Sequence, residues 1–138
     1  MHRRIRHVAF LVRDQDEALA FFVDKLGFVV TEDTRLGGKR WLTVAPEAGG
    51  TPSLLLSAAA TPEQRRAVGR QAGGRVFLFL ETDDLERDHR RLEEAGVVFV
   101  EPPRAEPYGT VAVFRDLYGN RWDLLQPASA EGDAEPQR

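Results

Sequence analysis

Apolar and polar residues alternate at the start of the chain. Over residues 5–12, Val8, Phe10 and Val12 fall on one face of a strand, and His7, Ala9 and Leu11 on the other. Both faces are mostly apolar, so both are expected to be covered. The period then lengthens: Ala18, Leu19, Phe22, Val23 and Leu26 make the i, i+3/i+4 stripe of an amphipathic helix reaching about Leu26. Asp14 is placed to cap its start, with Glu17 completing a carboxylate capping box, and Gly27 stands where a left-handed C-cap is expected. Three further strands follow at 28–32, 41–45 and 53–58, separated by Gly37-Gly38 and by the turn-rich run 46–52.

A short linker helix is predicted from Thr61, a good N-cap with Pro62 at the first helical position and Gln64 closing a capping box, up to Gly73-Gly74. The first half's order then returns. Residues 76–81 read as a strand, and Asp83 or Asp84 caps a helix carrying Leu85, His89, Leu92 and Ala95 that Gly96 ends. Strands follow at 97–101, 110–114 and 121–126. The last two are joined by a turn in which Gly119 and Asn120 suit positive φ. Asp14 stands 13 residues before Gly27 and Asp83 13 residues before Gly96, at an offset of 69, which points to an internal duplication. The organisation expected is module one at 5–58, a linker helix at 61–72, module two at 75–127 and a disordered Ala/Glu/Pro-rich tail at 128–138.

Composition narrows the function classes. The chain of 138 residues fits one domain, and 42% hydrophobic residues suffice for a globular core. With 19 basic and 22 acidic residues intermixed, the few arginines at positions 3, 4 and 6 and at 65, 66 and 70 do not form the basic stripe of a nucleic-acid binder. The absence of cysteine excludes disulfides, thiol nucleophiles and Cys-based zinc sites, and is compatible with a reducing cytosol. No apolar run has the length of a membrane span or the form of a signal sequence, so a cytoplasmic protein without membrane partners is expected. No nucleophile elbow, P-loop or dinucleotide fingerprint is present.

The segments HVAFLVRDQDEALAFFVDKLGF at 7–28 and VAVFRDLYGNRWDLLQP at 111–127 resemble the vicinal oxygen chelate superfamily of glyoxalase I, bleomycin-resistance proteins and extradiol dioxygenases. The closing hairpin is the more specific of the two. The resemblance covers residues 5–127 and implies an α+β fold of two tandem βαβββ modules, their sheets curved around a cup and often completed by homodimerisation. It also implies a divalent ion (Zn, Ni, Fe or Mn) that chelates two neighbouring substrate oxygens and needs about three protein ligands.

Matched residue by residue, the ligand set is incomplete. His7 falls on the first-strand position of module one and Asp123 on the last-strand position of module two. Phe77, or Val76 after a one-residue shift, occupies the counterpart of His7; Leu55, or Leu54, occupies that of Asp123. None of these four side chains can bind a metal. Glu81, in phase with Phe77 and Phe79, is the candidate third ligand. The alternative role for His7 is a hydrogen bond to Asp123, which Arg121 would otherwise satisfy. His89 is expected at the edge of its helix's buried side, and Trp122 and Leu124 in the core opposite Asp123. Trp41, Leu55, Phe77, Phe79 and Tyr108 are the candidate ligand-binding residues, and Arg13 and Arg40 candidate partners for an anion.

Two functions emerge as expectations. One is a binding protein of the bleomycin-resistance kind, holding a small molecule in the cup without the full metal-ligand set. The other is a divalent-metal-dependent lyase, isomerase or dioxygenase using His7 and Asp123.

Overall fold

The computed structural model describes residues 1–128. The tail expected over 128–138 therefore lies, apart from Ala128, outside the described residues. The chain divides into two compact units, Met1–Gln71 and Ala72 onward. Among the described residues each unit holds one four-stranded sheet and follows the βαβββ order. No helix among them is long and apolar enough to cross a membrane.

The first unit runs β1 (His7–Val12), α1 (Gln15–Leu19) continued by a π-helical segment (Ala20–Lys25), β2 (Val29–Leu36), β3 (Lys39–Ala45), β4 (Ser53–Ala58) and α2 (Pro62–Ala67). Its sheet order is β1-β4-β3-β2, with β1 parallel to β4 and the other neighbours antiparallel. The helical face is built as the periodicity predicts. Phe10, Val12, Leu42, Val44 and Leu56 are fully buried. Phe22 meets Phe10 edge to face at 5.3 Å. Truncating such a buried ring costs about 3–5 kcal/mol.

The second unit runs β5 (Val76–Glu81), α3 (Leu85–Glu94), β6 (Val98–Glu106), β7 (Gly109–Arg115) and β8 (Arg121–Pro127), in the equivalent order β5-β8-β7-β6. Trp122 and Leu124 are buried, as their phase predicts, and Trp122 stacks on Phe114 at 5.6 Å. The turn before β8 is tied by Asp116. Its Oδ1 accepts from the Tyr118 and Asn120 backbone N–H groups, and its Oδ2 from Asn120 Nδ2 and Trp122 Nε1.

Five local expectations are corrected. Of the two candidate caps of α3, Asp84 is the one used, its Oδ1 accepting from Arg87 N at 3.0 Å, so the spacing counted from Asp83 changes. The cap-to-glycine distance is therefore 12 residues in the second unit against 13 in the first. The extra residue of the first helix is absorbed by its wider π-helical turn, where Leu26 N donates to Phe21 O, five residues back. The duplication survives with a one-residue insertion in the first helix. The linker helix stops at Ala67, because Val68 takes an extended ψ of 124° and Gly69 a left-handed φ of 81°. Gln64 does close the start, but its Oε1 accepts from Ala60 N rather than from the cap residue itself. Asn120 has no positive φ, because its side chain is held against Asp116; only Gly119 in that turn is left-handed. Finally, Phe77 falls in an irregularity of the β5–β8 register, so it does not continue the alternation of Phe79 and Glu81.

Candidate functional site

The face of the first sheet turned away from its helix carries His7, Ala9 and Leu11 of β1, Ser53, Leu55 and Ser57 of β4, and Trp41 and Thr43 of β3. The register sets these side by side: His7 opposite Ser53, and Leu55 between Ala9 and Thr43. His7 Nδ1 lies 2.8 Å from Ser53 Oγ, which in turn lies 3.5 Å from the Arg6 carbonyl oxygen. A carbonyl only accepts, so the arrangement satisfying both contacts has the imidazole N–H donating to Ser53 and the hydroxyl donating to Arg6 O. Trp41 meets the His7 ring edge to face at 5.6 Å. Trp41 thus lies on the face that carries His7.

A cavity of about 470 Å³ opens beside this cluster, inside the first unit. Ser53 (6% exposed) and Thr43 (1% exposed) form polar parts of its wall, and Thr43 Oγ1 shares a hydrogen bond of 2.6 Å with Thr31 Oγ1. Arg4, Arg6 and His7 line it from the start of the chain, Glu32 from β2, and the loop around Gly49 and Gly50 completes it. The size is that of ordinary small-molecule sites.

The open face of the second sheet differs. Its central row reads Phe79, Asp123, Val113, with Glu101 beyond. Phe79 is 67% exposed. Partial burial raises the pKa of Asp123 above its ordinary value, and Glu101 adds to the rise while Arg104 opposes it. Arg104, rather than the expected Arg121, is therefore the cation acting on Asp123. Arg104 is itself shared between Glu101 at 2.6 Å and Glu106 at 2.7 Å.

The structure thus joins His7, Trp41 and Leu55 on one sheet face and Phe79 and Asp123 on another. Glu81 is exposed, opposite Leu125. Tyr108 is exposed in the turn between β6 and β7, where its carbonyl accepts from Ala128 N. His89 lies against Phe99 at 4.3 Å, at the edge of the buried side of α3. Arg13 is paired with Glu17, and Arg40 with Asp16 and Asp33, so neither is available to an anion as the sequence suggested. Arg4 and Arg6 at the cavity, and Ser53 as the partner of His7, were missed. The one signal for them was the basic run before β1 and a serine in phase with Leu55.

The donors of either unit do not fit a catalytic divalent ion. The residue at the position of Asp123 in the first sheet is Leu55, since both stand at the centre of equivalent rows. Val76, opposite Arg121 as His7 is opposite Ser53, holds the histidine position in the second. Among the described residues no group of three His, Cys, Asp or Glu side chains could hold a metal ion.

Comparison with known proteins agrees with this architecture. The profile of the Glyoxalase/Bleomycin resistance protein/Dioxygenase superfamily matches residues 4–124. The chain belongs to this superfamily. Among solved structures it is similar to UcmS2, at 37% identity and a TM-score of 0.79 over 91% of this chain and 98% of that one. It is similar also to TnmS3, an antibiotic-binding protein from Streptomyces sp. CB03234, at 34% identity and a TM-score of 0.77 over 92% and 98%. A protein of Shewanella frigidimarina described as uncharacterised is 54% identical over 91% of this chain and 95% of its own length.

Proposed function

We propose that this superfamily member is a small-molecule-binding protein of the bleomycin-resistance kind. It holds its ligand in the cavity on the open face of the first sheet, without the superfamily's metal-ligand set. The observation carrying this reading is the cavity itself: a pre-formed space, walled by buried hydroxyls and by His7, whose ring Trp41 meets outside the lining. The replacement of metal donors by Leu55 and Val76 supports the same reading, as does the likeness to TnmS3, whose description is that of an antibiotic-binding protein. The metal-dependent enzyme is the reading it displaces. The expected homodimer belongs to the proposal, and sedimentation of the purified protein tests it.

Trp41 supplies the readout. Trp122 is 2% exposed with its Nε1 bonded to Asp116, so its emission is insulated from ligand. Half-buried Trp41 responds. Titration with a panel of aromatic and antibiotic compounds is expected to give a saturable change in tryptophan emission that Trp41→Phe abolishes. Stoichiometric Zn, Ni, Fe or Mn in the purified protein, lost in His7→Ala, would overturn the proposal in favour of the enzyme.

A further inference from the structure

The geometry points to a negatively charged ligand: we infer that the cavity of the first unit takes an oxyanion, a carboxylate or phosphate carried on a small organic molecule. The inference rests on the reading of that cavity as the binding site and adds the charge of what binds.

Three observations carry it. First, Arg4 and Arg6 line the cavity, and among the described residues neither guanidinium has a carboxylate partner. Four arginines elsewhere are taken up by acids: Arg13 by Glu17, Arg40 by Asp16 and Asp33, Arg87 by Asp83 and Asp88, Arg104 by Glu101 and Glu106. The cavity holds one carboxylate, Glu32, against two guanidiniums, so it is locally cationic in a chain of net charge −3. Second, the hydrogen-bond chain from His7 through Ser53 to the Arg6 carbonyl uses Nδ1 as donor. This contact fixes the imidazole at the cavity wall, beside the two guanidiniums. Third, the Thr31 and Thr43 hydroxyls lie 2.6 Å apart and need only one proton between them, so the other remains a donor. Guanidinium and hydroxyl are both donors to oxygen, and charge-assisted bonds of the guanidinium kind are the strong ones.

The test compares benzoate, phenyl phosphate and benzamide, three probes of similar ring and different charge, by calorimetry and by the NMR shifts of the His7 ring. At low salt at least one oxyanion is expected to bind about tenfold or more tightly than the amide. Which of the two binds more tightly separates a carboxylate ligand from a phosphate. The Arg4→Ala/Arg6→Ala double variant, with an unchanged melting temperature, is expected to bring acid and amide to within about twofold of each other. Equal binding of acid and amide in the unaltered protein, or a preference that survives the double variant, overturns the inference and leaves the small-molecule reading standing. Binding of none of the three probes also overturns it; a ligand found by Trp41 emission would then still uphold the broader reading.

Discussion

On their helix-covered faces both units bury aromatic and aliphatic side chains. Phe10 meets Phe22 in the first, and Phe114 stacks on Trp122 in the second. On their open faces they differ. The first sets His7, Ser53 and Thr43 around a cavity that basic side chains also line. The second carries charged groups instead, with Phe79 projecting, Asp123 half-buried beside it and Glu101 paired to Arg104 beyond. A duplicated scaffold is held in common by its core, because a ring lost there costs several kcal/mol, whereas the open face tolerates divergence. Symmetry of fold therefore says little about symmetry of chemistry.

The comparison can be broken first at the helices. Deleting exposed Arg90 from α3 rotates the first half of that helix by about 100° against the second half. Leu85 or Leu92 is then driven from the core, with an expected cost of about 2–5 kcal/mol in urea unfolding. Deleting exposed Asp24 from the π-helical segment instead restores the 12-residue spacing, and is expected to cost less than about 1 kcal/mol. Equal costs would refute the one-residue insertion.

The turns before the last strands offer a second contrast. Asp116→Ala strips four donors, among them the buried Trp122 Nε1, of their acceptor, and about 3 kcal/mol of stability should be lost in thermal or urea unfolding. In the corresponding connection of the first unit, around Gly49 and Gly50, Glu47 meets Gly50 N through its backbone carbonyl rather than its carboxylate. Glu47→Ala should therefore be close to neutral in the same measurement.

The smallest effect is electrostatic. The folded-state pKa of Asp123 is raised, so ionising it costs the folded state stability. That cost is absent below the unfolded value of about 3.8 and fully present above the folded one. Asp123→Asn should therefore raise stability at neutral pH, by less than about 1 kcal/mol, and the gain should vanish on acidification. Thermal melts across pH check both the sign and the window. A loss at neutral pH would mean that Asp123 has a stabilising partner.

The alternation in β1, the capped helices and the closing hairpin made the scaffold readable, because hydrophobic period and capping chemistry are local. Trp122 and Leu124 went to the core by the same logic. The inserted residue of the first helix was hidden, since Asp83 and Asp84 are equally plausible caps and only hydrogen bonding distinguishes them. The site was less legible. That Ser53 meets His7 depends on a parallel pairing across 46 residues, and no local pattern encodes it. The arginines were misassigned for the same reason: Arg40 finds Asp16 and Asp33 only through folding, while Arg4 and Arg6 read as an ordinary basic start.

Gln71, just past the linker helix, reaches the outer side of β1, where its side-chain oxygen accepts the Leu11 N–H. An edge strand offers unpaired amides to any extended chain that comes alongside, which makes it a seed for aggregation. Here one of those amides is already occupied by a side chain carried on the same unit. The glutamine thus acts as a stopper, making the border of the sheet less adhesive at the strand that carries His7.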